Sequence, residues 1–145
     1  MKTVIQRVTQ ASVTIDGKIN GKIDKGLMIL IGIGADDTEA QADWTAQKIA
    51  NMRIFEDDGQ HMNLSIKDVG GEILAISQFT LYADCRKGNR PNFMEAGRPE
   101  MAEPLYEYLC DALRRHDIHV ETGIFGADMQ VSLINDGPVT IILEK

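Results

Sequence analysis

The stretch ISQFTLYAD places Ser77, Gln78 and Thr80 inside a run otherwise made of apolar residues. Hydroxyl and amide groups buried there without partners are costly, so they face a wetter surface, satisfy local backbone groups, or meet a ligand. Thr80 offers a nucleophilic hydroxyl, yet no activating base stands near it in sequence. Any catalysis here would then lean on backbone groups. A second unusual stretch is SLINDGPVTIIL, two apolar runs interrupted by Asn135-Asp136-Gly137-Pro138. Asn-Asp-Gly suits a hairpin turn, and Pro138 removes a donor where the next strand would begin pairing. On pattern alone this is a stiff turn leading into an edge strand.

Other chemistry-bearing residues say less. His116 and His119 lie three apart around an expected helix end with no third ligand, so they read as a surface pair and no metal site is expected. Cys85 follows Asp84 beside basic residues, but without a partner histidine it reads as a buried structural thiol. GIGADDTE fits neither a Walker loop nor a dinucleotide fingerprint. Arg86, Lys87 and Arg90 in CRKGNR form one local basic patch, either a solvated loop or a contact for an anionic ligand.

The elements that must position these residues follow from periodicity. Val4–Val8 begins an extended segment, and ASVTIDGKINGKI reads as a hairpin turning at Asp16-Gly17. GLMILIGIGA is an apolar run of strand length, covered on both faces. A helix follows, capped by Asp36 with Glu39 three residues on, its apolar face carrying Ala42, Ala46, Ile49 and Ala50. EILAISQFTLYA reads as one central strand. A second helix starts near Pro99 and buries Ala102, Leu105, Leu109, Ala112 and Leu113. Alternation at Met129, Val131 and Leu133, and again at Val139, Ile141 and Leu143, gives two strands around the Gly-Pro break. The fold class is α/β, one domain over residues 1–145 with two main helices layered on sheet.

Bulk properties narrow the class. With 145 residues the chain can bury a core without disulfide or metal staples, and its two cysteines build no such framework. The opening MKTVIQRVTQ lacks a sustained apolar core, so no secretory leader is expected, and no run reaches membrane-spanning length. A reduced, cytoplasmic setting fits. A formal net charge of −7 argues against binding nucleic acid by global electrostatics, though not through a local patch.

ISQFTLYADCRKGNRPNF, GIFGADMQVSLINDGPVTIIL and the opening MKTVIQRVTQASVTIDG together resemble the D-aminoacyl-tRNA deacylases of the bacterial and eukaryotic type, from Met1 to about Leu143. The resemblance implies a three-layer α/β/β domain with mostly antiparallel or mixed sheets. It implies a homodimeric hydrolase that needs no cofactor. Such an enzyme would cleave the ester between a D-amino acid and the terminal adenosine of tRNA, and would remove glycine from mischarged tRNA(Ala). It further implies a cis Gly137-Pro138 bond whose motif enters the partner's active site as a chirality filter. On the same basis the Phe79 and Thr80 N–H groups would stabilise the oxyanion. Ser77 and Gln78 would position the adenosine, and Thr80's side chain would support. Arg7 would buttress the Gly-Pro carbonyls, and Arg86, Lys87 and Arg90 would meet acceptor-end phosphates.

Overall fold

One long strand, β1 (Lys2–Ile15), replaces the separate opening segment and hairpin arm that the pattern suggested. A computed structural model describes residues 1–145. After β1 come β2 (Lys18–Ile23), β3 (Gly26–Gly32), α1 (Glu39–Asn51), β4 (Phe55–Glu56) and β5 (Met62–Leu64). The chain continues through β6 (Glu72–Ser77), a 3-10 turn (Phe79–Tyr82), α2 (Pro99–Arg114), β7 (Val120–Thr122) and β8 (Gln130–Glu144).

The main sheet runs β2-β1-β3-β6-β7, with β8 added along β1. Strand β1 is antiparallel to β2, β3 and β8, while β3, β6 and β7 are mutually parallel, so the sheet is mixed. Alternation along the strands feeds two cores. Leu27, Ile29 and Ile31 of β3 and Ile73 and Ala75 of β6 face α1 and α2. Met28, Leu74 and Ile76 face the other way, onto Val13 and Ile23. The sheet curls enough that β2 approaches β7: Asn20 Nδ2 donates to the Thr122 carbonyl at 2.7 Å. A Cβ at Gly21 would stand 2.9 Å from that same oxygen, which is why a glycine occupies the closure. Helices, central sheet and curled-over strands make the three layers.

Three local expectations change. Thr38, not Asp36, caps α1, and the Gln41 side chain accepts from the Thr38 N–H at 2.9 Å. EILAISQFTLYA is not one strand. Its pairing ends where Gln78 N–H donates to the Ile31 carbonyl at 2.7 Å, and the chain then tightens into the 3-10 turn. The two C-terminal strands are one strand, β8, carrying a wide bulge. Gln6 faces Thr140 and Val8 faces Asn135, so the single residue Arg7 stands opposite Asp136–Val139. The Gly137-Pro138 peptide within this bulge is cis. The bulge also marks a change of core: Val131 and Leu133 pack on the smaller one, Val139, Ile141 and Leu143 on the helix-side one. Helix α2 is as expected, with Pro99 as its first residue and Ala102, Leu105, Leu109, Ala112 and Leu113 buried.

Candidate active site

The C-terminal end of β6 opens into an apolar cleft of about 570 Å³. Ile31, Ile33 and Ile76 come from the strand ends, Pro99 and Ala102 from the first turn of α2, and Phe125 to Ala127 and Met129 from the segment before β8. Ser77, Gln78 and Phe79 line it, so the structure brings these sequence candidates together. Ligand clefts at the carboxyl ends of parallel strands are the general expectation for such sheets. None of the lining residues carries an ionisable side chain. This wall therefore presents no carboxylate, imidazole or ammonium to a bound ligand.

What the wall does offer is main chain. The turn after β6 starts at Phe79, and the first residues of a helical turn have no intrahelical acceptor. Leu81 N–H donates to the Gln78 carbonyl at 3.2 Å and Ala83 N–H to the Thr80 carbonyl at 3.0 Å. The Phe79 and Thr80 N–H groups have no such turn partner. Thr80 is exposed, and its hydroxyl accepts from Gln78 Nε2. That bond answers one of the alternatives posed by the polar run: these two side chains satisfy each other outside the core.

Gly137 and Pro138 do not line this cleft. They sit beside Arg7, which is 5% exposed although it carries a charge. Its Nε donates to the Asp136 carbonyl at 3.1 Å and one terminal nitrogen to the Ile54 carbonyl at 2.7 Å. The carboxylates of Asp136 and Glu56 lie at 3.4 and 3.6 Å and balance the charge. A buried cation needs this combination of hydrogen bonds and counter-charges. Gly137 has φ +123°, and a Cβ there would lie 3.2 Å from an Arg7 terminal nitrogen and 3.0 Å from Val139 Cγ2.

The basic patch forms a closed excursion. Asp84 and Asn92 exchange two backbone hydrogen bonds, 2.8 and 2.9 Å, at its base. Arg86 grips Asp84 through two guanidinium bonds of 2.8 and 2.7 Å. That grip holds the Asp84 carboxyl well below the usual carboxylate range. Arg86 thus spends much of its charge inside the loop, while Lys87 and Arg90 are exposed and form no ion pair.

Cysteine placement differs from expectation. Cys85, read as a buried structural thiol, is exposed because it rides on this excursion, and Cys110 of α2 is the buried one. Burial pushes the Cys110 thiol up to about 11. Tyr106, also buried, donates to the Ala75 carbonyl at 2.8 Å, and burial raises its phenol. The Tyr106 bond ties α2 to β6. His119 contacts Glu121 at 3.4 Å and Glu72 at 3.8 Å, and no cluster of three or more potential ligands could hold a metal ion. Sequence reasoning missed Phe93 and Ala96 as cleft walls, and Glu56 and Ile54 as Arg7's partners. No periodic pattern marks those positions.

Comparison with known proteins completes the picture. The family model described as D-Tyr-tRNA(Tyr) deacylase matches residues 4–144. A D-aminoacyl-tRNA deacylase of Halalkalibacterium halodurans is 63% identical over 145 residues, covering 100% of this chain and 99% of that one. A solved structure of a c-Myc DNA unwinding element binding protein superposes with TM-score 0.93 at 45% identity, over 100% of this chain and 99% of the other. A probable eukaryotic D-amino acid tRNA deacylase shares the fold, with TM-score 0.85 at 16% identity, covering 98% and 97%. With the family's pattern running from the first strand to the last, the chain belongs to the D-Tyr-tRNA(Tyr) deacylase family.

Proposed function

We propose that this protein hydrolyses the ester linking a D-amino acid to the terminal adenosine of tRNA, and spares the L-aminoacyl ester. The supporting observation is a cleft without ionisable walls beside two adjacent main-chain N–H groups, Phe79 and Thr80, that no turn bond engages. Ser77 and Gln78 orient the adenosine in the apolar cleft. Water adds to the ester carbonyl, the Phe79 and Thr80 N–H groups receive the developing oxyanion, and the ribose 3′-oxygen departs with a proton. Each donor contributes about 3 kcal/mol to such a step. The neighbouring ribose 2′-hydroxyl assists, and the Thr80 hydroxyl stays a supporting group.

Handedness is judged at Cα by the main chain of Gly137 and Pro138. Their carbonyls grip the substrate's α-ammonium and leave no space where an L side chain would project. Arg7 anchors the segment one residue upstream, at the Asp136 carbonyl rather than at the Gly-Pro carbonyls themselves. A D side chain points away, so many residue types are accepted, and glycine on tRNA(Ala) is cleaved as well. This is a second, geometric sieve applied after synthesis, a form of proofreading in the cytoplasm. Since Gly137 and Pro138 do not line their own chain's cleft, the filter acts on the cleft of a second copy in a homodimer. The outer edge of β8 has no strand partner, which leaves its main chain free for such an approach. Lys87 and Arg90 meet acceptor-end phosphates, Arg86 more weakly.

A binding module that recognises a nucleic-acid end without chemistry is the rival reading, favoured by the name of the structural neighbour at 45% identity. Purified protein incubated with paired D- and L-aminoacyl-tRNA separates the two. Release of amino acid from the D ester alone is expected; inertness toward both would leave the binding module.

A further inference from the structure

We infer that the rim formed by Phe79, Phe93, Met94 and the 84–92 excursion is a docking platform for the unpaired nucleotides just upstream of the tRNA's terminal adenosine. This deepens the hydrolase reading above and rests on it. Phe79, on the cleft wall, is 56% exposed, and Met94, next in the chain to the cleft-lining Phe93, is 86% exposed: both are large apolar side chains left in water. The Phe79 and Phe93 rings meet edge to face, centroids 5.1 Å apart at 67°, so one ring props the other. Both rings also line the cleft, making the platform continuous with the adenosine site.

Charge stands beside the rings. The excursion leaves the 3-10 turn at Asp84 and returns at Asn92, immediately before Phe93, and the paired hydrogen bonds of Asp84 and Asn92 fix its base there. Lys87 and Arg90 therefore ride on a loop anchored beside the rim, exposed and without ion pairs, whereas Arg86 is held by Asp84. Glu95 is the nearby opposing charge. Exposed aromatic and thioether surface flanked by unpaired cations is the composition that binds single-stranded nucleic acid, bases on the rings and phosphates on the cations. A net charge of −7 does not draw RNA to the chain as a whole, so a local arrangement of this kind is what an RNA contact here requires. The occupant is a short single strand and not a duplex, because two propped rings offer π-faces and no element is shaped for a groove.

The test compares two D-aminoacyl esters, one on adenosine and one on the trinucleotide C-C-A. The platform predicts kcat/KM about tenfold or more higher for the trinucleotide, carried mainly in KM, as expected for one stacked base. In Met94→Ser, a surface change that leaves the core untouched, that ratio falls several-fold. Equal kcat/KM for the two esters would overturn the platform while leaving the hydrolase reading intact. Should both esters be inert, the hydrolase reading fails. Binding of the uncharged trinucleotide, followed through NMR shifts of the Phe93 ring against adenosine as control, then judges the platform alone: no tighter binding than adenosine refutes it.

Discussion

Arg7, Gly137 and Thr80 carry the account at the scale of single residues. Arg7 is buried and donates to two carbonyls, that of Ile54 in a buried bond and that of Asp136 in a part-buried one. Arg7→Met should lower stability by about 3 kcal/mol, read from a urea midpoint, because donors vanish while acceptors and counter-charges stay. Gly137→Ala acts differently. Its positive φ and the contacts awaiting a Cβ strain only the bulge, a cost of about 1–3 kcal/mol. Hydrolysis of the D ester should fall at least tenfold while the folded fraction at working temperature hardly changes. For Thr80→Ala the expectation is retained turnover, within about tenfold, since the N–H stays in place and each lost main-chain donor would cost far more. Near-complete loss with the fold intact would reinstate the Thr80 hydroxyl as nucleophile. Ser77, Gln78 and the Gly-Pro pair were visible as oddities of type in an apolar setting. Arg7 came only through the resemblance, which put its hydrogen bonds on the Gly-Pro carbonyls; the structure puts them on Asp136 and Ile54, because a strand arginine's partners depend on a register the sequence does not show.

At the scale of elements, the 84–92 excursion makes the clearest prediction. Arg86 depresses the Asp84 carboxyl, so the ion pair is in place at neutral and mildly acidic pH. It is lost only as pH falls through the lowered folded value, below the ordinary 3.8. An NMR titration of Asp84 should show that lowered midpoint; a midpoint at the ordinary value would mean the clamp does not persist in solution. With Arg86 occupied, about two cations meet phosphates, giving a slope of log K on log salt of about −1.4. Asp84→Asn frees Arg86 and should steepen it to about −2.1, the single-strand increment per phosphate. Most elements were legible: β3 from its unbroken apolar run, both helices from their stripes, β8 from its alternation. The errors at the strand ends share one cause. Strand ends are set by where a partner stops, as β3 does beside Ser77, and the sequence of one strand does not record its neighbour's length. Likewise Cys85 was misjudged because exposure on an excursion is a tertiary fact.

For the whole molecule, two cores on opposite faces of one curled sheet leave the ends of the parallel strands free to hold a cleft, while β1 and β8 cross from one core to the other at Arg7. The same crossing creates the bulge that holds Gly137 and Pro138. Fold and proposed filter are thus consequences of one register shift. The layered class followed from strand and helix counts, yet the curl did not, since it depends on β2 meeting β7 across the molecule. The central claim is that the main chain inspects Cα and ignores what the side chain is. The most direct measurement is a rate comparison of glycyl, D-alanyl and L-alanyl esters on one and the same tRNA. Cleavage of the first two with the L-alanyl ester spared is the predicted result. L-alanyl cleavage at a comparable rate, or D-alanyl cleavage with the glycyl ester spared, would contradict it.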